Sequence, residues 1–410
     1  MIANVRVGVH LTVHAQLGDT QDTRFNLLAR MKVTDVMRVA LAAESFLPRV
    51  NGVANSVIHI SRYLKSRGVP VTIVAPDAYG SDDFEGIPVE RVRSVNLPGV
   101  HDYDVTIASA ARLERIIVDF GATVVHLASP FELGSRMQTA AHLVGVPTVA
   151  VYQTDVAGFA AHYGFAPLSR FADTVVRRIH GQADLNLVPS NACKSYLDSL
   201  GIHGSRLWGR GVDLDNFSAA YRSPSLRRSW DAGDRLVVGF VGRLAPEKNI
   251  EILARLAHHD DVQLVVIGDG PCRSELEALL PRARFAGRLV GPALGTAMAS
   301  LDVLVAPGEH ETFCQVVQEA MASGVAVVAP AVGGPVDLIE HGTDGMLYRP
   351  GDANAMAAAV LTLGRDAALR QRLVSAGQRK VRTRSWRALG DQLFGHYLTA
   401  SGQGTVLEAA

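Results

Sequence analysis

From Met37 onward, short runs of Val, Ile, Leu and Ala alternate with longer stretches in which apolar residues recur at helical spacing. Continuous apolar runs suit strands buried on both faces, and their alternation with helices predicts right-handed βαβ units around a parallel sheet. The expected strands of the first half are 37–43, 70–75, 123–128, 146–151 and 184–188. Those of the second half are 235–242, 262–268, 283–287, 302–306 and 324–329. Between the first two strands, Val53, Val57, Ile60 and Leu64 form one stripe of an amphipathic helix over 52–66, with His59, Arg62 and Ser66 facing away. Three further helices, about 352–363, 367–379 and 385–399, close the pattern.

Two βα series in succession predict an α/β protein of two Rossmann-like, doubly wound domains around a cleft, with ligands at the carboxyl ends of the strands. The first domain is expected over 36–210 and the second over 211–384. The polar, Arg- and Ser-rich stretch that runs from Gly209 to Asp234 reads as the connection between them. Residues 1–35 show a clean period of neither 3.6 nor 2 and read as an N-terminal tail, a candidate for disorder or for an upstream start.

Composition agrees with two cores. The chain has 410 residues, 48% of them apolar and 20% charged, too long for one comfortable core and too apolar for disorder. Lys+Arg and Asp+Glu number 40 each, and Met37–Arg210 holds sixteen basic against fifteen acidic residues, so no half presents the positive field that DNA or RNA requires. The three cysteines, Cys193, Cys272 and Cys314, are too widely spaced for a zinc site and odd in number for a disulfide framework, which suits a reducing cytoplasm. No apolar run is long enough to span a bilayer, and the leader lacks a continuous apolar signal-peptide core.

The sharpest local signal is the pair Glu311 and Glu319, which follows the strand Asp302-Val-Leu-Val-Ala. A helix starting near Thr312 would set Glu311 at its edge, with the amides of Phe313, Cys314 and Gln315 free for phosphate or hydroxyl oxygens. Carboxylates accept paired hydrogen bonds from vicinal hydroxyls, so one Glu suits a ribose diol and the other a transferred sugar. A bare pair at this spacing is more often two solvated helix glutamates. The strand ending in Gly242-Arg243-Leu-Ala-Pro-Glu-Lys248 changes the odds, because a guanidinium and an ammonium at a strand's carboxyl end can neutralise a diphosphate leaving group. A third loop, Pro48-Arg-Val-Asn51-Gly52, enters a helix at the end of the first strand, where glycine admits close approach of a ligand.

The order Phe46-x-Pro48-x-x-Asn51-Gly52-Val53, then Gly242-Arg243-Leu-x-x-Glu-Lys248, then Glu311-x-Phe313 through Glu319-Ala-x-Ala-x-Gly324, resembles the retaining glycosyltransferases of family 4 from Met37 to the C-terminus. More narrowly, Ala43-Glu-Ser-Phe-Leu-Pro, His126-Leu-Ala-Ser-Pro, Val151-Tyr-Gln-Thr-Asp and the segment Glu309–Glu319 look like actinobacterial GDP-mannose-dependent α-mannosyltransferases of glycolipid synthesis. The resemblance implies a GT-B architecture with an N-terminal acceptor domain, a C-terminal nucleotide-sugar domain and a final crossover helix, 385–400. It implies GDP-mannose as donor, a glycolipid or polyprenyl-type acceptor, no metal cofactor, and work at the cytoplasmic membrane face.

The family's roles carry over residue by residue. Glu311 would contact the donor sugar and Glu319 the ribose, with Arg243 and Lys248 on the diphosphate. Gly52 would approach the phosphates, Arg288 lies in the base-contacting segment, and Phe313, Cys314 and Gln315 line the donor. Asn51 and His126 are the acceptor-side candidates. Two departures stand out: many members carry His where Gln153 stands, leaving Gln153 and Asp155 as polar candidates beside the sugar, and Cys314 occupies a position where Gly is frequent.

Literal D-x-D matches, Asp102-Tyr-Asp104 and Asp213-Leu-Asp215, follow no strongly apolar strand and so make poor metal clamps. Gly268-Asp269-Gly270 is too short for a dinucleotide fingerprint. The competing readings are a nucleotide-sugar epimerase or hydrolase on the same fold and a non-catalytic nucleotide-sugar-binding protein, which would tolerate loss of Glu311. Arg62, Lys65, Arg67, Arg170, Arg177 and Arg178 are candidates for anionic headgroups or, more plainly, for a solvated surface.

Overall fold

The computed structural model describes residues 37–49, 51–77, 80–96, 104–153 and 166–402, and its chain divides into two compact units. One unit comprises Met1–Tyr152, Arg178–Leu187 and Gly390–Ala410, the other Gln153–Arg177 and Val188–Leu389. The leader 1–35 lies outside the described residues.

In the first unit the strands are β1 (Val39–Ala43), β2 (Val71–Pro76), β3 (Asp83–Phe84), β4 (Ile87–Val92), β5 (Ser94–Asn96), β6 (Asp104–Thr106), β7 (Val124–Ala128), β8 (Thr148–Val151) and β9 (Leu185–Val188). Their order β9-β8-β7-β1-β2-β4-β3 puts β1 at the centre, where Val39 stands in register with both Val71 and Val124. A central parallel strand is covered on both faces, so all five residues of β1 are apolar and buried. The helix Gly52–Ser66 has the expected bounds: Val57, Ile60 and Leu64 are buried while Arg62 and Ser66 are exposed. Four elements were illegible as strands, the two-residue β3, the Pro- and charge-containing β4 and the three-residue β5 and β6; β3 pairs antiparallel with β4, and β5 with β6.

The second unit contributes β10 (Arg206–Leu207), β11 (Leu236–Val241), β12 (Val262–Ile267), β13 (Arg284–Gly287), β14 (Val303–Val305), β15 (Ala326–Pro330) and β16 (Met346–Tyr348). The order β13-β12-β11-β14-β15-β16, parallel throughout, is the doubly wound dinucleotide-fold order. Side chains alternate across the sheet, sending Val237, Val265, Leu304 and Val327 into one core and Val238, Val266, Val303 and Val328 into the other.

The stretch before β11, expected as the connection, contributes residues to a packed core. Val212, Phe217 and Trp230 belong to the second unit's core. Arg222 and Arg227 both pair with Asp302, whose Oδ2 also accepts the Val237 amide at 2.8 Å. These two arginines, polar in sequence, converge on one carboxylate. The chain's last helix, Trp386–Ala400, is joined to the first unit from Gly390 on: Tyr63 donates to Asp391 at 2.6 Å, and Tyr397 is hydrogen-bonded to His126. A Cβ at Gly390 would land on the Tyr63 ring, so only glycine fits.

Candidate active site

The second sheet reverses its winding between β11 and β14, so the loops leaving these neighbours diverge and open a crevice at their carboxyl ends. The floor is tight. Gly242 and Gly268 both have positive φ (155° and 146°), and a Cβ on Gly268 would collide with the Gly242 carbonyl. Past Gly242, a single 3-10 turn, Pro246–Lys248, brings Lys248 to the loop that follows β14. Its Nζ lies 2.5 Å from Glu311 Oε1. Burial opposes the Lys248 charge, but the Glu311 carboxylate outweighs it and holds the ammonium above its ordinary pKa. Arg243 is exposed and pairs with Glu247, which is itself buried.

Glu311 is held by its own backbone: its carbonyl accepts the Gly334 amide at 2.7 Å. A Cβ at Gly334 would meet the Phe313 backbone, so this packing of two loops requires glycine. Thr312 Oγ1 donates to the Gln153 carbonyl at 2.9 Å, and Phe313 is buried. At Cys314 the backbone turns left-handed, with φ 68° and ψ 61°, and only then does the helix Gln315–Ala322 begin. The expected helix start near Thr312 is therefore corrected: a left-handed residue cannot continue a right-handed helix, so Glu311 rides a loop and the leading helix amides are those of Gln315 and Val316. The same φ explains why glycine suits the position of Cys314. Burial, with Glu311 nearby, pushes the Cys314 thiol far up.

Glu319 lies inside that helix. Burial pushes its carboxyl up to about 7, against the lowering effects of a Gln315 hydrogen bond and the Arg210 charge. Gln315 Nε2 donates to the Gly211 carbonyl at 2.8 Å and Gln318 Nε2 to the Arg210 carbonyl at 2.9 Å, so the segment 209–211 is laced along the helix. Arg210 donates in turn to Gln153 Oε1 at 3.1 Å. Burial lowers the Arg210 pKa, and the charges of Glu311 and Glu319 oppose that shift, which places one guanidinium in the field of both glutamates. Three buried atoms of this cluster, Gln153 Nε2, Arg210 Nε and Gln315 Oε1, have no hydrogen-bond partner among the described residues. Buried polar groups are nearly always satisfied, so three unsatisfied ones in a single cluster are unusual.

Sequence reasoning missed Arg210, because it sat at the start of the supposed connection; its flanking glycines were the available signal. It also gave no role to Glu44, which leaves β1 and accepts the amides of Phe131, Leu133 and Gly134 at 2.6, 3.1 and 2.8 Å. Burial raises Glu44 to about 7, although those three amides pull it down.

The remaining candidates fall elsewhere. Asn51 is the N-cap of the helix Gly52–Ser66: its Oδ1 accepts the Val53 and Ala54 amides and its Nδ2 donates to Ser45. Gly52 is exposed at that helix's first position, and Arg288 is exposed after β13. His126, expected on the acceptor side, has 0% exposure on β7, and burial lowers its pKa to about 3. Its hydrogen bond to Tyr397, at 2.9 Å, makes it a packing residue of the first unit. Asp155, Asp102 and the side chain of Arg170 lie outside the described residues. The Asp213 carboxylate turns back onto the amides of Asp215 and Asn216. Among the headgroup candidates, Arg62 pairs with Glu85, Arg67 with Asp391, and Arg177 donates to the Leu200 carbonyl. No helix among the described residues is long and apolar enough to cross a membrane.

Two doubly wound units, with paired cations and glutamates at the switch point of the second, define a glycosyltransferase of GT-B fold. Residues 235–366 match the profile of Glycosyl transferases group 1, and residues 50–216 that of Glycosyltransferase Family 4. The fold is shared with Anabaena HepE solved in complex with UDP, at TM-score 0.72 and 21% identity, covering 88% of this chain and 100% of that one. The chain is 46% identical over 373 residues to the GDP-mannose-dependent alpha-mannosyltransferase of Mycolicibacterium smegmatis, covering 90% of this chain and 98% of the relative. It is 28% identical over 388 residues to the phosphatidyl-myo-inositol mannosyltransferase of Mycobacterium leprae, covering 91% and 100%. The chain belongs to the family of GDP-mannose-dependent alpha-mannosyltransferases.

Proposed function

We propose that this enzyme transfers mannose from GDP-mannose, with retention at the anomeric carbon, to a glycolipid acceptor at the cytoplasmic membrane face, without a metal cofactor. The observation that carries the reading is the contact of Lys248 Nζ with Glu311 Oε1 at 2.5 Å. A cation that suits a phosphate and a carboxylate that suits hydroxyls stand side by side, so the ligand they fit carries a phosphate and a polyol on adjacent atoms, as a sugar linked to a diphosphate does. Glu319, inside the helix Gln315–Ala322, is assigned the ribose diol. Gln315 Oε1 supplies a further unsatisfied polar atom for the donor.

In this scheme the second unit binds the donor and the first the acceptor. The bond from the anomeric carbon to the diphosphate oxygen breaks as the acceptor oxygen attacks on the same face, and the acceptor's proton passes to the departing phosphate. No protein base is needed. Lys248 and Arg243 stabilise the negative charge growing on the leaving group, and Glu311 orients the sugar. Names of relatives at 46% and 28% identity support mannose, GDP and a lipid-linked acceptor in turn.

The test offers radiolabelled GDP-mannose, UDP-glucose and UDP-GlcNAc with a membrane extract, with and without EDTA. Label from GDP-mannose in the lipid-extractable fraction, unaffected by EDTA, is expected. Transfer from a uridine donor alone, water-soluble product alone, or abolition by EDTA would each overturn the corresponding part of the assignment.

A further inference from the structure

We propose that Arg210 is a positioning residue of the transfer reaction, fixing the Gln153 carboxamide so that its Nε2 rather than its Oε1 faces the ligand. The inference rests on the mannosyl-transfer reading above and names a residue that reading leaves without a task of its own.

A glutamine amide presents a donor and an acceptor of nearly the same shape, and something must decide which faces a substrate. Arg210 decides it here. A guanidinium has donors only, so the atom 3.1 Å from its Nη2 must be the carbonyl oxygen of Gln153. The flipped rotamer would set NH2 against NH2. Both partners are packed and hydrogen-bonded. Gln153 is 4% exposed, and its main-chain carbonyl accepts from Thr312, the neighbour of Glu311. Arg210 has its carbonyl fixed by Gln318, while a Cβ at Gly211 would strike the Trp386 backbone and one at Gly209 would press on the Phe313 ring. The backbone that delivers the arginine thus has little freedom.

The product of this arrangement is Gln153 Nε2, a buried neutral donor with no partner among the described residues. Its main chain is bonded to the residue next to Glu311, so a donor and an anionic acceptor come from contiguous, mutually fastened loops. A carbohydrate hydroxyl, which both accepts and donates, fits that combination better than a phosphate, which a carboxylate would repel.

Gln153→Glu separates this role from a structural one, because it keeps an acceptor for Arg210 while removing the donor. We expect kcat to fall about tenfold or more, with KM for GDP-mannose, GDP affinity by calorimetry and thermal midpoint close to wild type. Arg210→Met should lower kcat similarly. In a Gln153→Ala background it should then have almost no further effect, since the group through which it acts is gone. Wild-type kcat in Gln153→Glu, or losses that multiply in the double variant, would overturn the proposal. Should Arg210→Met prove unstable, the Gln153→Glu result decides alone. A wild-type protein that binds GDP but transfers no mannose would instead strike the reading beneath it.

Discussion

The Lys248 ammonium and the Glu311 carboxylate, 63 residues apart in sequence, lie 2.5 Å from each other at the point where the second sheet changes its direction of winding. Neither residue is sealed from solvent: their side chains are 27% and 22% exposed, so the pair is open to a ligand on one side. Its first consequence is catalytic. Lys248→Ala and Glu311→Gln should each lower kcat on the order of 10²-fold, the usual cost of losing one charge-stabilising group at a transition state. Thermal melts should move little by comparison. Initial rates of label transfer from GDP-mannose check this, and near-wild-type turnover in either variant would contradict the assigned roles.

Glu319 ties donor binding to pH. Its carboxyl is held at about 7 in the folded protein against an ordinary 4.5. Between those values the folded state carries a proton that the unfolded chain has lost, so stability falls as pH rises through this window. Glu319→Gln should flatten that fall and add on the order of 1–3 kcal/mol at pH 8. The same substitution should raise KM for GDP-mannose, because an amide cannot accept both hydrogen bonds of a ribose diol. Urea titrations at pH 5 and pH 8, read beside donor KM, test both limbs.

His126 should behave in the opposite sense. Burial lowers it to about 3 from an ordinary 6.5, so the unfolded chain takes up a proton that the folded state refuses, and stability is lost as pH falls through this range. Replacing it with Leu should cost about 1–3 kcal/mol at pH 7, by leaving the buried Tyr397 hydroxyl without its ring partner. Specific activity of the folded fraction should stay near wild type. A large rise in acceptor KM at unchanged stability would return His126 to the ligand-facing set.

Cys314 and Cys193 are buried, and Cys314 has its thiol pushed well up, so neither should react with iodoacetamide in the native protein. Cys314→Ser should retain most of the activity. By contrast, Cys314→Val should destabilise the protein by ~2 kcal/mol or more, since a β-branched residue is poorly tolerated at φ 68°. Mass spectrometry of alkylated protein and melting curves of the two variants settle the point.

The apolar runs by themselves determined the central parallel strands of both sheets and the helix Gly52–Ser66, because burial on two faces or on one stripe writes a period directly into the residues. They also determined that Lys248 and Glu311 would stand at strand ends, since a loop follows wherever an apolar run stops. The three-residue β16 stayed hidden, having too few residues to show a period, and β4 because Pro88, Glu90 and Arg91 interrupt its apolar run. What only the tertiary structure decided was which strand ends are neighbours, and so which charges meet. Strand order is set by packing between segments far apart in the chain, which leaves no local trace. For that reason Arg210 carried no role in the sequence and His126 stood among the acceptor-side candidates, while the surroundings of each are set by elements distant in sequence.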